Sequence, residues 1–185
     1  MTRNTVGTWS TYRPFDIGIA ALPLDLPWIV KEPFARTKML MLVPKGHPLA
    51  SMPRVSVGDT EKYPLVALQT SSFARQEMDK EFRRLGITPD IVCETQNVMS
   101  ACQLVASGIG ITPVDPLLLT AIGLTGVKAV EWDISIYLEY CFFRPISGTS
   151  SPLIQKFSAA LQTVVTDICD GSTGRFIKRL PMVSA

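Results

Sequence analysis

Leu65-Val66-Ala67-Leu68-Gln69-Thr70-Ser71-Ser72-Phe73-Ala74-Arg75-Gln76-Glu77-Met78 decides how this chain folds. Leu65 to Gln69 is a short apolar run of the kind that forms a buried strand. The three hydroxyl residues then hand over to a different period. Phe73, Met78, Phe82 and Leu85 recur at four or five, four and three residues, which places them on one face of a helix. Gly86 closes that helix, as glycine does where the chain must leave the helical conformation.

The same unit repeats downstream. Asp90 to Glu94 reads as a strand, and Gln96 or Asn97 opens a helix with Val98, Met99, Cys102, Val105 and Ala106 inward and Gly108 behind it. Ile109 to Pro113 is a short strand. Asp115-Pro116 is an N-cap followed by proline at the first helical position, starting a helix over Leu117 to Ile122 that Gly123 ends. Val127 to Glu131 and Ile136 to Phe143 return to strand. Ser151-Pro152 repeats the cap-and-proline device and launches the strongest helix, with Leu153, Ile154, Phe157, Leu161, Val164, Val165 and Ile168 on one side. Upstream, Asp16 to Ala21, Ile29 to Phe34 and Lys38 to Val43 are strand candidates. The last stops at the proline-rich turn Pro44 to Pro53, after which Ser56 caps a short turn of helix. Strands alternating with helices predict an α/β fold with a mainly parallel sheet. The stretch after Asp170 has no periodic pattern and is expected to be loose.

The composition excludes several functions. In 185 residues, 46% are hydrophobic and 18% charged, with a mean hydropathy of +0.23, which is the profile of a globular chain. Lys and Arg number 18 against 16 Asp and Glu, a net +2, too small for a large nucleic-acid footprint. No run reaches the 18 apolar residues of a membrane span, and Met1 to Asp16 has no signal-peptide core, so a cytoplasmic protein without a membrane partner is expected. Cys93, Cys102, Cys141 and Cys169 form no CxxC pair, and His47 is the single histidine, so neither a metal set nor a cofactor is expected. Gly108-Ile109-Gly110 lacks the third glycine and following helix of a dinucleotide loop. No nucleophile elbow or phosphate-loop lysine is present. Arg75, Lys80, Arg83 and Arg84 among Glu77, Asp79 and Glu81 read as a solvated helix face.

Two places can carry chemistry. Thr70-Ser71-Ser72 stands where a strand meets a helix N-terminus, whose unpaired N–H groups and partial positive charge suit a carboxylate or a phosphate. Glu94-Thr95-Gln96-Asn97 stands at the next strand end, where open α/β sheets place their ligands. The same residues would also serve as plain helix caps.

Phe15 to Ala20, Leu40 to Ala50 and Leu104-Val105-Ala106-Ser107-Gly108-Ile109-Gly110-Ile111-Thr112-Pro113-Val114 resemble, in order and spacing, the effector-binding domain of LysR-type transcriptional regulators. Val114-Asp115-Pro116 is most similar to the branch sensing lysine and opines. Thr70 to Arg75, Glu94-Thr95, Phe143-Arg144-Pro145, Ser150-Ser151 and Phe157-Ser158 fit that branch too. The resemblance implies a type-II periplasmic-binding-protein-like fold, two α/β lobes joined by crossing strands with a small-molecule cleft between them. Residues 15–43 and 140–170 would form lobe I, which is incomplete, and 44–139 lobe II. Residues 1–14 do not match, and 171–185 form the loose tail. It further implies that Thr70, Ser71 and Ser72 grip a ligand carboxylate, that Gln96 and Asn97 face it, and that Val114 and Asp115 line the cleft or hinge. Asp115 is there either to meet an amino or guanidino group or to cap its helix.

The family's winged helix-turn-helix, linker helix and opening strand-helix-strand are not found in these 185 residues. The resemblance therefore implies a truncated regulator that is not an enzyme. It would bind an amino-acid-like carboxylate and no operator DNA specifically by itself; lobe I, with open sheet edges and uncovered apolar surface, would be unstable or self-associate with another chain, while lobe II folds well. The other functions this fold serves are a solute-binding receptor and a small enzyme.

Overall fold

A computed structural model of the chain describes residues 15–148, 151–171 and 173–181. The expectations for residues 1–14 and for Ser150 lie outside the described residues. The chain divides into two compact units, one from the N-terminal part through Thr37 and again from Leu138 onward, the other Lys38–Tyr137.

The first unit is built on a sheet in the order β1, β9, β2, β10, formed by Gly18–Ala21, Tyr137–Pro145, Ile29–Lys38 and Ile177–Arg179. β1 pairs antiparallel with β9, Gly18 opposite Phe143 and Ile19 opposite Phe142. One face carries Leu24, Leu26, Ile29 and Phe143, with Phe15, Ala20 and Leu22 packed against them. The other carries Phe34, whose ring lies 4.5 Å from that of Phe142, and the long helix Pro152–Cys169 (labelled α5 in chain order). Ser151 caps α5 by accepting from the Ile154 amide, with Pro152 in the first turn, as the cap-and-proline pattern predicts.

The expected loose tail is corrected in part. After a 3-10 turn at Gly174–Phe176, Ile177–Arg179 forms β10 and pairs antiparallel with Thr37, Arg36 and Ala35 of β2. Alternation is too short over three residues to register as a period. The strand is held instead by Ile177, which is buried, and by the ladder.

In the second unit, β3 (Leu40–Pro44) is the most deeply buried strand, with Leu40 to Val43 each 1% exposed or less. It lies between β7 (Thr112–Val114) and β8 (Val127–Trp132), antiparallel to both, while β4 (Arg54–Val55) runs parallel to β8. β5 (Leu65–Leu68) and β6 (Ile91–Thr95) are parallel. Ile111, just before β7, bridges Leu65 in parallel on the other side of β5.

The helices are α1 (Val57–Thr60), α2 (Phe73–Leu85), α3 (Val98–Ala106) and α4 (Pro116–Ile122). Ser56 and Asp59 make a reciprocal capping box on α1. α2 ends at Gly86 in the left-handed conformation. Met78 and Phe82 from α2, and Ala101, Cys102 and Val105 from α3, pack inward over Val66 and Ala67.

The expectation of a mainly parallel sheet is overturned: most named strand pairs are antiparallel. Helical crossovers enforce a common direction only between the strands they join, and β5-α2-β6-α3-β7-α4-β8 is that segment. β3, which is antiparallel to both β7 and β8, and β9 lie outside that segment, so alternation along the chain says nothing about their direction.

Candidate functional site

The carboxyl ends of β6, β5 and the Ile111–Val114 segment point the same way, side by side, with β5 in the middle. Each leads directly into a helix: β5 through Thr70-Ser71-Ser72 into α2, β6 through Gln96-Asn97 into α3, and β7 through Asp115 into α4. All seven predicted site residues therefore stand along one edge of the second unit. Two strand ends are tied directly, because Leu68 lies opposite Thr95 and the Gln69 amide donates to the Thr95 carbonyl at 2.9 Å.

The three turns use their polar side chains differently. Asn97 is a helix cap, its Oδ1 accepting from the Met99 amide at 2.7 Å. Asp115 is buried and caps α4, Oδ1 accepting from the Leu117 and Leu118 amides at 2.8 and 3.2 Å. Asp115 therefore does cap its helix, one of the two roles expected of it; Val114 is buried beside it in β7. Ser72 is at the N-cap of α2, yet its hydroxyl makes no capping bond. Its amide donates to the Gln69 carbonyl at 2.9 Å, closing a turn. Thr70 and Ser71 are exposed, and Gln96 is exposed at the neighbouring strand end. Among the described residues, the α2 N-terminus thus has no side-chain cap from Ser72 and stands beside three hydroxyls, an arrangement that suits an anionic group.

The residue that sequence reasoning missed is Arg75. It was expected on a solvated face; instead its side chain is 9% exposed. Nε donates to both Asp79 oxygens at 2.8 and 3.0 Å, and Nη1 to the Leu68 carbonyl at 2.8 Å and to Glu94 Oε2 at 2.9 Å. One guanidinium thereby joins the end of β5, the first turn of α2 and the end of β6. Burial opposes its charge, but Asp79 and Glu94 outweigh that and raise its pKa further. A cation in the first turn of a helix opposes the helix dipole. That anomaly, with an aspartate four residues on, is the signal in the sequence that could have found it.

Other predicted features are structural. Gly110 sits where an added Cβ would come 2.3 Å from the Pro64 carbonyl oxygen, so its glycine allows the close approach through which the Ile111 amide reaches that oxygen at 2.9 Å. His47 packs edge-on to Tyr63 at 4.3 Å and accepts from the Leu49 amide through Nδ1 at 3.2 Å. No group of three or more His, Cys, Asp or Glu able to hold a metal occurs among the described residues, and no helix there is long and apolar enough to cross a membrane.

Residues 12–166 match the family model described as the LysR substrate binding domain. The transcriptional activator protein LysR of Escherichia coli K12 is 30% identical over 132 residues, covering 69% of this chain and 42% of the relative. The regulatory protein NocR of Agrobacterium tumefaciens T37 is 26% identical over 147 residues, covering 80% of this chain and 49% of NocR. The chain thus spans about half the length of these relatives. Among solved structures, the effector binding domain of QuiR in complex with shikimate superposes with a TM-score of 0.68 at 20% identity, covering 88% of this chain and 77% of that one. At that identity the likeness shows the fold, which is the type-II periplasmic-binding-protein-like fold. With most of its length matched by the family model, the chain belongs to the LysR substrate-binding-domain family.

Proposed function

We propose that this chain is the effector-sensing part of a LysR-type transcriptional regulator and that its effector is a small amino-acid-like carboxylate of the lysine and opine kind. The observation that carries this reading is the unused hydroxyl cluster at the α2 N-terminus, tied to the end of β6 by the Gln69–Thr95 hydrogen bond. Thr70, Ser71 and Ser72, at the positive end of α2, take the carboxylate. Arg75, Asp79 and Glu94 together carry a net charge of about −1, one cation against two carboxylates. Glu94 is half exposed, with its side chain at 46%. The excess negative charge therefore favours an ammonium group on the ligand, with Gln96 and Asn97 facing it and Val114 and Asp115 forming the adjoining wall.

In a whole regulator, ligand binding would shift the population between assembly states on DNA. The 185 residues alone, with a net charge of +2, hold no operator sequence specifically, and the protein works in the cytoplasm. The resemblance to the lysine and opine branch at Val114-Asp115-Pro116 narrows the effector class.

A thermal-shift series with amino acids and opines tests the reading. A true effector at 100 times its dissociation constant adds about 2.7 kcal/mol of stability, and Ser71→Ala with Ser72→Ala removes most of that gain. If none of these compounds shifts the transition, or the double variant responds unchanged, the assignment is wrong. A salt-resistant operator-specific band in a mobility-shift assay would overturn the DNA statement.

A further inference from the structure

We propose that the groove between α5 and β10 is a second ligand site, which takes a small monocarboxylate with an apolar body and shares no residue with the strand ends of the second unit. Of the seven apolar residues that the sequence pattern puts on one side of α5, Val165 turns to the sheet and is 4% exposed, whereas Leu153 is 76% exposed. Beside Val165 lies a groove of about 430 Å³. Small-molecule sites span about 300–1,000 Å³, so it is large enough for a ligand of modest size. Its apolar walls are Val165 from α5, Phe34 from β2, and Leu180 and Pro181 just past β10. Leu180 is fixed there, since its amide donates to the Phe34 carbonyl at 2.9 Å.

The polar part of the lining is one connected group. Gln162 and Thr166 are neighbours one turn apart on α5, and both line the groove with Arg179 of β10. Adjacent strand residues point to opposite faces, so of Lys178 and Arg179 only one turns toward α5. It is Arg179, whose Nη1 donates to Thr166 Oγ1 at 2.8 Å. The Thr166 hydroxyl spends its own hydrogen on the Gln162 carbonyl at 2.8 Å, which leaves its oxygen to accept from the guanidinium and hold it. A guanidinium has five N–H bonds, and Thr166 takes one of them. Among the described residues no carboxylate pairs with Arg179, not even Asp167 or Asp170 at the end of α5. From Gly171 to Ala185 the sequence carries Arg175, Lys178 and Arg179 and no acidic residue. The groove thus offers one oriented cation beside apolar walls. A carboxylate on Arg179, with an apolar body against Phe34, Val165 and Leu180, satisfies both. An amino acid does not, because its ammonium meets a cation with no acid paired to it. This is the reverse of the chemistry at the strand ends of the second unit, where Asp79 and Glu94 outnumber Arg75.

Titration of the whole chain with phenylacetate, followed through its backbone amides by NMR, tests this. The acid should bind saturably with a dissociation constant of about 0.1–1 mM and shift the Phe34, Thr166 and Leu180 amides. Phenylacetamide, phenylethylamine and phenylalanine should each bind about tenfold more weakly or worse. Arg179→Gln, at an exposed position, should weaken the acid about tenfold with an unchanged circular dichroism spectrum. Thr166→Val, which keeps the shape and removes the hydroxyl that holds Arg179, should weaken it about threefold. Ser71→Ala with Ser72→Ala should leave phenylacetate binding as it was, so this site and the proposed effector site stand or fall separately. No saturable binding up to about 10 mM overturns the proposal. So do equal affinities for acid, amide and amine, wild-type binding by Arg179→Gln, or shifts confined to Thr70, Ser71 and Ser72. Binding seen only in a chain ended at Pro181 would make residues 182–185 the occupant, and binding lost as protein concentration rises would make it a second copy; either result also overturns the proposal.

Discussion

Replacing Arg75 by methionine keeps the length and apolar bulk of the stem while removing every bond the guanidinium makes. The structure sets the cost. Four N–H···O contacts are lost, two to Asp79, one to Glu94 and one to the Leu68 carbonyl, all between 2.8 and 3.0 Å. Breaking a fully buried pair costs about 3–5 kcal/mol, and an exposed pair contributes about 0–1. Here the cation is 9% exposed, but Asp79 is 24% and Glu94 46% exposed and both regain water when abandoned. The intermediate value, about 2 kcal/mol, follows; for a chain of this size it lowers the melting midpoint by about 4–8 °C. Urea unfolding of Arg75→Met, Asp79→Asn, Glu94→Gln and the two double variants apportions it. Arg75 should couple to Asp79 by about 1 kcal/mol, through a two-oxygen contact, and to the more exposed Glu94 by about half that. Hydrogen exchange supplies the local readout, since the Gln69 amide, bonded across the strand ends braced by Arg75, should exchange faster in Arg75→Met. A variant within 0.5 kcal/mol of wild type, with Gln69 equally protected, would refute the claim that Arg75 sets the spacing of the two turns.

Gly110→Ala places a Cβ 2.3 Å from a backbone oxygen that cannot rotate away, so the Pro64 and Ile111 segments must part. A loss of about 1–3 kcal/mol in chemical denaturation is expected, and a neutral outcome would show that the close approach is dispensable. Burial pushes the Cys102 thiol up to about 11, and does the same to Cys141, where Lys31 opposes and Glu139 adds to it. In native protein at pH 8, iodoacetamide should therefore label Cys93 first and leave Cys102 and Cys141 until denaturant is added, as peptide mass spectrometry would show. Burial pushes the Glu131 carboxyl up, but Lys38 at 3.2 Å and Arg54 at 2.7 Å outweigh it and hold the group below its ordinary value of 4.5. A lowered folded pKa means stability that is fully present above 4.5 and lost as pH falls through the folded value. Glu131→Gln should thus be less stable than wild type at pH 7, with the gap closing below pH 4.5; a gap constant with pH contradicts the pairing.

How far the fold could be read depended on whether its cause was local. Ser151-Pro152, Asp115-Pro116, Asn97 and Gly86 each declare a helix end through chemistry confined to one turn, and each stands at that end in the structure. β3 shows the opposite case. Leu40 to Val43 announce a strand, but its antiparallel partners Leu40–Val114 and Leu40–Glu131 lie more than 70 residues away, and nothing in either segment encodes direction. β10 fails for a related reason, being a three-residue strand that exists because β2 offers it a ladder. α5 adds a subtler lesson. Hydrophobic periodicity marks surface that must be covered without saying by what, so residues that meet the sheet and residues that face outward read as one face.

The sequence marks the three strand ends that the structure sets side by side, and not which of their side chains are helix caps. Hydroxyl and amide residues at three strand ends all have the same two uses, capping a helix or binding a ligand, and the sequence cannot separate them. Geometry shows which acceptors are already engaged, because a capping side chain spends its acceptor on the helix it opens. Asn97 and Asp115 do so. Ser72 does not, although α2 is 13 residues long and opens with no acidic residue in its first turn to answer the dipole. What stands there instead is Arg75, a cation at the positive end of a helix, and its cost is met by Asp79 and Glu94. Were α2 shaped for stability alone, a capping hydroxyl and a carboxylate in its first turn would serve better than unused hydroxyls and an arginine. The local departure from the most stable helix start falls where two parallel strand ends are tied together, which is where the proposed carboxylate would bind.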